Sequence, residues 1–286
     1  MKRTIIILAV IAIACTCSSC QKEREGVYHP KKKIVEIYEQ SDPYGYAYNG
    51  IKRLTEKWTW NGKNLSKITS ADESVYCLFK YEKNRISKIE GNDGFYGAYS
   101  PYTLSFTYEG DFIKKIECHD KRGLYAVFDF KHTQNKITTM TITINDNLSF
   151  KNTVAAFRLF LPVQTVKSIL NEEQSASLSK GETRTSVFEF EWDGDNIKTE
   201  TLSYEREHYS STSKTTYQYD DKINPFYNST RGFVHSKNNV ISAKTDMRTI
   251  EYKITYDGQF PVEISENLII ENNSYPINIY YYVYKK

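Results

Sequence analysis

Proline and glycine are scarce in this chain, at seven and thirteen of 286 residues. So little of either excludes a collagen-like or low-complexity architecture and leaves an ordinary globular composition. An excess of charge of one sign is missing as well, since 38 basic residues face 35 acidic ones. That balance offers no basic footprint for nucleic acid and no acidic tail. Long hydrophobic runs are also lacking: Ile5 to Ala14 gives ten apolar residues, about half of the ~20 that a helix needs to cross a bilayer. Spacings that signal chemistry are absent too. The histidines are His29, His119, His132, His208 and His235, no two at metal-ligand spacing, and the adjacent pair Cys118-His119 points to opposite faces of a strand. No Gly-x-Ser-x-Gly lies in a strand–turn–helix context, and no phosphate-cradling glycine loop occurs. Carboxylates are plentiful, but sequence alone does not pair them as acid and base. Glu189, Glu191 and Asp193 alternate with Phe188, Phe190 and Trp192, which reads as the solvent face of a strand. No catalytic residue, metal ligand or cofactor is therefore assigned.

What is present begins at the N-terminus. Lys2 and Arg3 precede the apolar run, and Ser18-Ser19-Cys20 ends it, the layout of a secretory signal over residues 1–19. A cysteine directly behind small residues resembles a bacterial lipobox, in which the thiol receives a diacylglycerol and becomes the mature N-terminus. Cys15 is a second candidate; Cys20 is favoured because the polar chain starts right behind it. That start, Gln21-Lys22-Glu23-Arg24-Glu25, resembles the export signal of Bacteroidota surface lipoproteins. The resemblance implies an outer-membrane lipoprotein facing the cell exterior, with the membrane as partner through Cys20. Residues 20–45, basic at Lys31-Lys32-Lys33, read as a lipidated tether, and 46–286 as the folded domain. Cys77 and Cys118 are the cysteines left in that domain. They are either a disulfide, as an oxidising compartment allows, or two small buried hydrophobes.

The aromatic content decides fold class. Twenty-four Tyr, 14 Phe and three Trp, with many Thr, Ile and Val, are strand formers. They recur in a pattern. Trp58-x-Trp60-Asn61-Gly62 runs on to Leu65 and Ile68; Phe79-x-Tyr81, Phe106-x-Tyr108, Phe128-x-Phe130, Phe190-x-Trp192, Tyr217-x-Tyr219 and Ile254-x-Tyr256 open similar units. In each, two large side chains share one strand face, a turn follows, and the chain returns through Leu or Ile. Asn61-Gly62 and Asp193-Gly194 read as tight hairpin turns. The copies lie 21 to 37 residues apart, except for 62 between Phe130 and Trp192. Seven copies predict an antiparallel meander of about fourteen strands, closed into a soluble barrel or a strongly curled sheet. Residues 140–150 read as one more strand or hairpin. Residues 152–183 break the pattern, with Val163, Val166, Ile169 and Leu170 at helical spacing behind Pro162. They read as an insertion with one short helix: a flap, a plug or a plain crossing linker.

The aromatic–Asp/Asn–Gly hairpins look like the tyrosine-aspartate repeats of Rhs-type shell proteins. More closely, the repeats, the run from Tyr217 to Phe226 and the segment Ser236-Lys-Asn-Asn-Val240 resemble a family of Bacteroidota lipoproteins with a porin-like β fold. That family carries no assigned activity, so the resemblance implies a fold and an address but no site. A membrane-spanning porin is disfavoured, because lysines fall on both faces of the return strands, Lys67 on that of Leu65 and Lys114 on that of Ile116, and two lysines close the chain. Two functions remain. One is a non-enzymatic module that binds a glycan or envelope protein or acts as a scaffold, with Trp58, Trp60 and Trp192 as candidate stacking platforms, unless these three fill the interior. The other is an extracytoplasmic hydrolase acting on glycans through carboxylates that meet only in the fold.

Overall fold

The computed structural model describes residues 24–27, 30–41, 50–93, 100–145, 157–175, 183–206, 209–229, 233–271 and 273–286. The chain forms β1 (Ile34–Ser41), β2 (Arg53–Asn61), β3 (Asn64–Thr69), β4 (Tyr76–Glu82), β5 (Arg85–Asp93), β6 (Ser100–Glu109), β7 (Phe112–Asp120) and β8 (Gly123–Thr133). It continues through β9 (Lys136–Ile144), β10 (Arg184–Asp193), β11 (Asn196–Arg206), β12 (Tyr209–Ile223), β13 (Asn238–Lys244), β14 (Thr249–Asp257), β15 (Phe260–Ile270) and β16 (Asn273–Tyr284). Helix α1 (Val163–Ser175) separates β9 from β10, and the short α2 (Pro225–Ser229) lies between β12 and β13. Each strand pairs antiparallel with its sequence neighbours, and β1 pairs with β16, so the meander is a closed barrel.

Sixteen strands form where the sequence pattern predicted about fourteen. The two extra ones are β1, which occupies residues assigned to the tether, and β16. Together they make an eighth copy of the hairpin, split between the chain ends. Tyr282 and Tyr284 supply the aromatic half, Ile34 the return half, and Lys285 N donates to the Lys33 carbonyl at 2.7 Å where a turn would stand. A repeat whose halves lie at opposite ends of the sequence cannot be seen as a local motif. The expected strand or hairpin at 140–150 is the second half of β9, the return strand of a copy already counted; residues 146–150 lie outside the described residues.

The repeat has a feature that simple strand alternation hides. Thr59 faces Lys67 but Trp60 faces Leu65, so Ser66 is an extra residue; the same shift recurs beside Tyr81, Tyr108, His132, Trp192 and Tyr256. This bulge re-aims the return strand. It places Leu65 and Ile68, Ile86 and Ile89, and Ile113 and Ile116 in the core although each pair is three residues apart. The bulge also frees a backbone carbonyl, and the second aromatic of the next repeat satisfies it. Trp60 Nε1 donates to the Ile34 carbonyl at 2.6 Å, Tyr81 Oη to Leu65 at 2.7 Å, Tyr108 Oη to Ile86 at 2.8 Å and Trp192 Nε1 to Ile137 at 2.7 Å. Tyr219 and Tyr284 repeat the bond on Ile197 and Pro261 at 2.7 and 2.8 Å. Six of the eight repeats are thus stapled to the one before; at the same position His132 meets the Glu25 carboxylate and Tyr256 donates to Asp220 instead. Gly62 and Gly194 hold φ of 56° and 57° in their turns, as a tight hairpin requires.

A barrel of about sixteen strands is too wide for wall side chains alone to fill, and in porins it encloses a water channel. Two inserted segments fill it here. Phe157, Leu159, Phe160 and Leu161 enter from the β9–β10 connection, so the described part of the insertion is a plug rather than a flap or linker. Phe226, Phe233 and Val234 enter from the β12–β13 connection at the opposite, tight-turn end. The two meet inside: Val234 N donates to the Phe160 carbonyl at 3.0 Å, and the Phe160 and Phe233 rings lie 4.6 Å apart. The outer wall is mostly polar, with Leu124, Ile241, Ile270, Tyr275 and Val283 as exposed apolar exceptions on the strands. Lys88 pairs with Glu90 at 2.8 Å, while Lys57, Thr59, Lys80, Glu189 and Glu191 also stand outside. A transmembrane barrel has the reverse order, apolar outside and polar within. Cys77 and Cys118 are buried free thiols.

Candidate functional site

The interior is not uniform. Through β3 to β10 the wall packs Ile, Leu and Phe against the two plugs, as in the Phe128–Phe157 stack at 4.8 Å. Toward β11 to β16 and β1 the same inward positions carry charge and hydroxyls. Glu200 occupies the repeat position held elsewhere by Ile68, Ile89, Ile116 and Met140, and is 2 % exposed. It accepts hydrogen bonds from Thr165 on α1 and from Tyr217 at 3.2 Å. Burial pushes its carboxyl up to about 7 in spite of those two donors.

Between the start of α1 and this polar wall lies a cavity of about 310 Å³. Tyr217, Tyr219, Tyr252, Tyr280 and Tyr282 supply its aromatic surface, with Phe226 from the second plug. Val163, Val166, Val240 and Ile264 add aliphatic surface. Charged groups enter in a definite order. Arg158 bonds Glu56 at 2.9 Å, and burial works against its charge while Glu56 and Tyr282 hold it above its ordinary value. Lys167 of α1 pairs with Glu266 of β15, and Gln164 donates to Tyr252. Glu39 of β1 also lines the cavity, and no described residue hydrogen-bonds or ion-pairs with its carboxylate. Burial pushes Glu39 up, and Arg158 draws it only partly back. His235, 4 % exposed, stacks on Phe226 at 6.1 Å. Burial pulls it down to about 4, so it is neutral near pH 7, and its Nε2 has no partner. Apolar walls with a few convergent polar groups, at this volume, are what a small-molecule site consists of.

The residues singled out from sequence lie elsewhere. Trp58 is 4 % exposed inside the barrel, with Nε1 donating to Glu56 at 2.9 Å and its ring beside Trp60 and Phe226. Trp60 and Trp192 sit half-buried at the tight-turn end, under Lys33 at 5.8 Å and Lys136 at 4.9 Å. Cys20 lies outside the described residues. The chain shortly after it is well placed, however. Glu25, 3 % exposed, accepts from Ile113 N and faces His132 at 3.2 Å; its carbonyl accepts from Arg85 at 2.9 Å. Residues 24–27 are therefore docked on the tight-turn end of the barrel rather than loose. Among the described residues no group of three or more His, Cys, Asp or Glu could hold a metal ion.

A closed, plugged sixteen-stranded antiparallel barrel is a recognisable architecture. The chain resembles a porin-like protein from Bacteroides uniformis at a TM-score of 0.51 and 10 % identity, covering 91 % of this chain and all of that one. A porin-like protein from Bacteroides vulgatus matches at 0.38 and 9 %, over 89 % of this chain and 99 % of the other. The first of these likenesses supports a porin-like β fold. No family model matches the sequence, and no curated protein does.

Proposed function

We propose that this is a cell-envelope lipoprotein, anchored at Cys20, whose barrel is a non-enzymatic binding module with its ligand, a glycan or a segment of an envelope protein, in the tyrosine-lined cavity. The supporting observation is that the filled interior is interrupted on one side, where aromatic rings and unpaired polar groups converge. An outer wall of lysine, glutamate and threonine suits a barrel standing in water beside a membrane rather than within one. Docking of residues 24–27 on the tight-turn end turns that end toward the anchor and the connections of the other end outward. Val163→Trp should fill the cavity and abolish binding on a glycan or envelope-protein array while the thermal melt is retained; array binding unaffected by it would remove the cavity from the reading. Cys20→Ala should release the protein from the membrane fraction and from lipid labelling, and unchanged association would move the anchor to Cys15 or eliminate it.

The hydrolase reading has one observation in its favour, that Glu39 and Glu266 line the same cavity. Lys167 occupies Glu266, though, so the two carboxylates are not a free acid–base pair. Glycan turnover should be undetectable, and turnover abolished by Glu39→Gln would decide for the enzyme.

A further inference from the structure

The charges of the cavity do not cancel. Arg158 is taken up by Glu56 and Lys167 by Glu266, which leaves the carboxylate of Glu39 without a direct ion pair among the described residues, with both cations acting on it only from further off. The second unsatisfied group in the lining, Nε2 of the buried neutral His235, is also an acceptor. Both groups are acceptors, so a ligand that donates hydrogen bonds and carries a positive charge satisfies both. Its walls match, because tyrosine faces attract cations through the ring quadrupole, more strongly where water is excluded. The protein already uses that contact on its outer wall, where Lys52 Nζ stands 3.8 Å from the centroid of Tyr281. Val163, Val166, Val240 and Ile264 give a hydrocarbon stem an apolar surface to lie on, beside the polar Asn224, Ser236 and Asn239.

We propose that the cavity takes a primary ammonium group on an apolar stem, a free alkylamine or the side chain of a lysine, with the ammonium at Glu39 and the stem between the tyrosine rings. This deepens the binding-module reading and rests on it. Calorimetry on the intact protein with hexylammonium, hexanol and hexanoate separates charge from shape, since the three share one stem. Hexylammonium should bind at least tenfold more tightly than hexanol, and hexanoate not measurably. Glu39→Gln should cost hexylammonium tenfold or more with an unchanged melt, because Glu39 holds no partner that folding needs, and Val163→Trp should abolish binding. Nα-acetyl-lysine methylamide distinguishes the source: binding points to a lysine side chain, and its failure beside bound hexylammonium to a free amine. Equal binding of hexanol and hexylammonium, both lost in Val163→Trp, would keep the cavity as a site and overturn the cation. Tighter binding of hexanoate, indifference to Glu39→Gln, or no binding of hexylammonium would overturn it as well.

Discussion

The two sides of the barrel share a frame and differ in what they enclose. On the β3–β10 side the inward residues are mostly Ile, Leu, Phe and buried thiols, with Arg184 and Ser186 as buried polar exceptions on β10, and the plugs complete an apolar core. On the β11–β16 side the corresponding positions hold Glu200, Tyr217, Tyr252 and Tyr282, and packing leaves a cavity. Yet Tyr81 and Tyr219 staple their neighbours with the same 2.7 Å bond on opposite sides of the molecule. Rim and interior are thus separate devices. The turns, bulges and staples fix where each strand goes, and because they do not depend on an apolar interior, one side can exchange packing for polar surface. The packed side then has to carry a larger share of the stability.

The strongest test of that division is a matched pair of truncations. Phe160 is fully buried against Phe106 and Phe233, so Phe160→Ala should cost about 3–5 kcal/mol in denaturant unfolding, transfer and cavity terms together. Tyr252→Phe, across the cavity, removes only a hydroxyl that accepts from Gln164, and should cost about 1 kcal/mol. Comparable losses would mean that both sides carry the fold equally.

Much of this frame was legible beforehand, and the omissions have physical causes. The aromatic pairs and the Asn-Gly and Asp-Gly turns are local signals, so seven hairpins could be read directly from Trp58 to Tyr256. The eighth was not, because Tyr284 and Ile34 are neighbours only once the barrel closes. The bulge was visible in principle as Leu65 with Ile68 and Ile86 with Ile89, a spacing that breaks strict alternation. Reading the return strands as regular placed Lys67 on the face of Leu65, when the bulge at Ser66 separates them. The second plug was hidden because its buried residues, Phe226 and Phe233 to Ser236, resemble an ordinary turn-rich loop in sequence. The polar side was hidden for another reason: Glu39, Glu200 and Glu266 look like any strand glutamate until their orientation is known.

Glu200 gives the next largest effect and a sign. Its carboxyl is raised from an ordinary 4.5 to about 7, so the folded state binds this proton more tightly than the unfolded one. Below pH about 4.5 both states are protonated and nothing is lost; as pH rises from there through 7 the fold progressively loses up to about 3 kcal/mol, and nothing further is lost above. Glu200→Gln should therefore stabilise the protein at pH 8 and have little effect at pH 4. His235 works in the opposite direction: with its pKa lowered from 6.5 to about 4, it costs stability as pH falls through that window. Melts recorded from pH 4 to 8 should show a broad maximum, because the two windows offset each other between 4.5 and 6.5, and Glu200→Gln should remove the alkaline fall and leave stability rising up to about pH 6.5. Loss of the acidic side instead would reverse the assignment.

The smallest effect probes what the two sides have in common. Gly62 turns β2 into β3 on the apolar side, and Gly258 turns β14 into β15 on the polar side, with φ of 56° and 63°. At neither glycine would an added Cβ meet anything within 4 Å, so the main cost of a side chain there is conformational. A β-branched residue resists positive φ, and Gly→Val at either site should destabilise by about 1 kcal/mol or somewhat more. The penalties should agree within a few tenths of a kcal/mol, because the turns do not sense what the barrel encloses. If Gly62→Val costs clearly more than Gly258→Val, the rim of the packed side is supported by its core, and frame and filling are coupled after all.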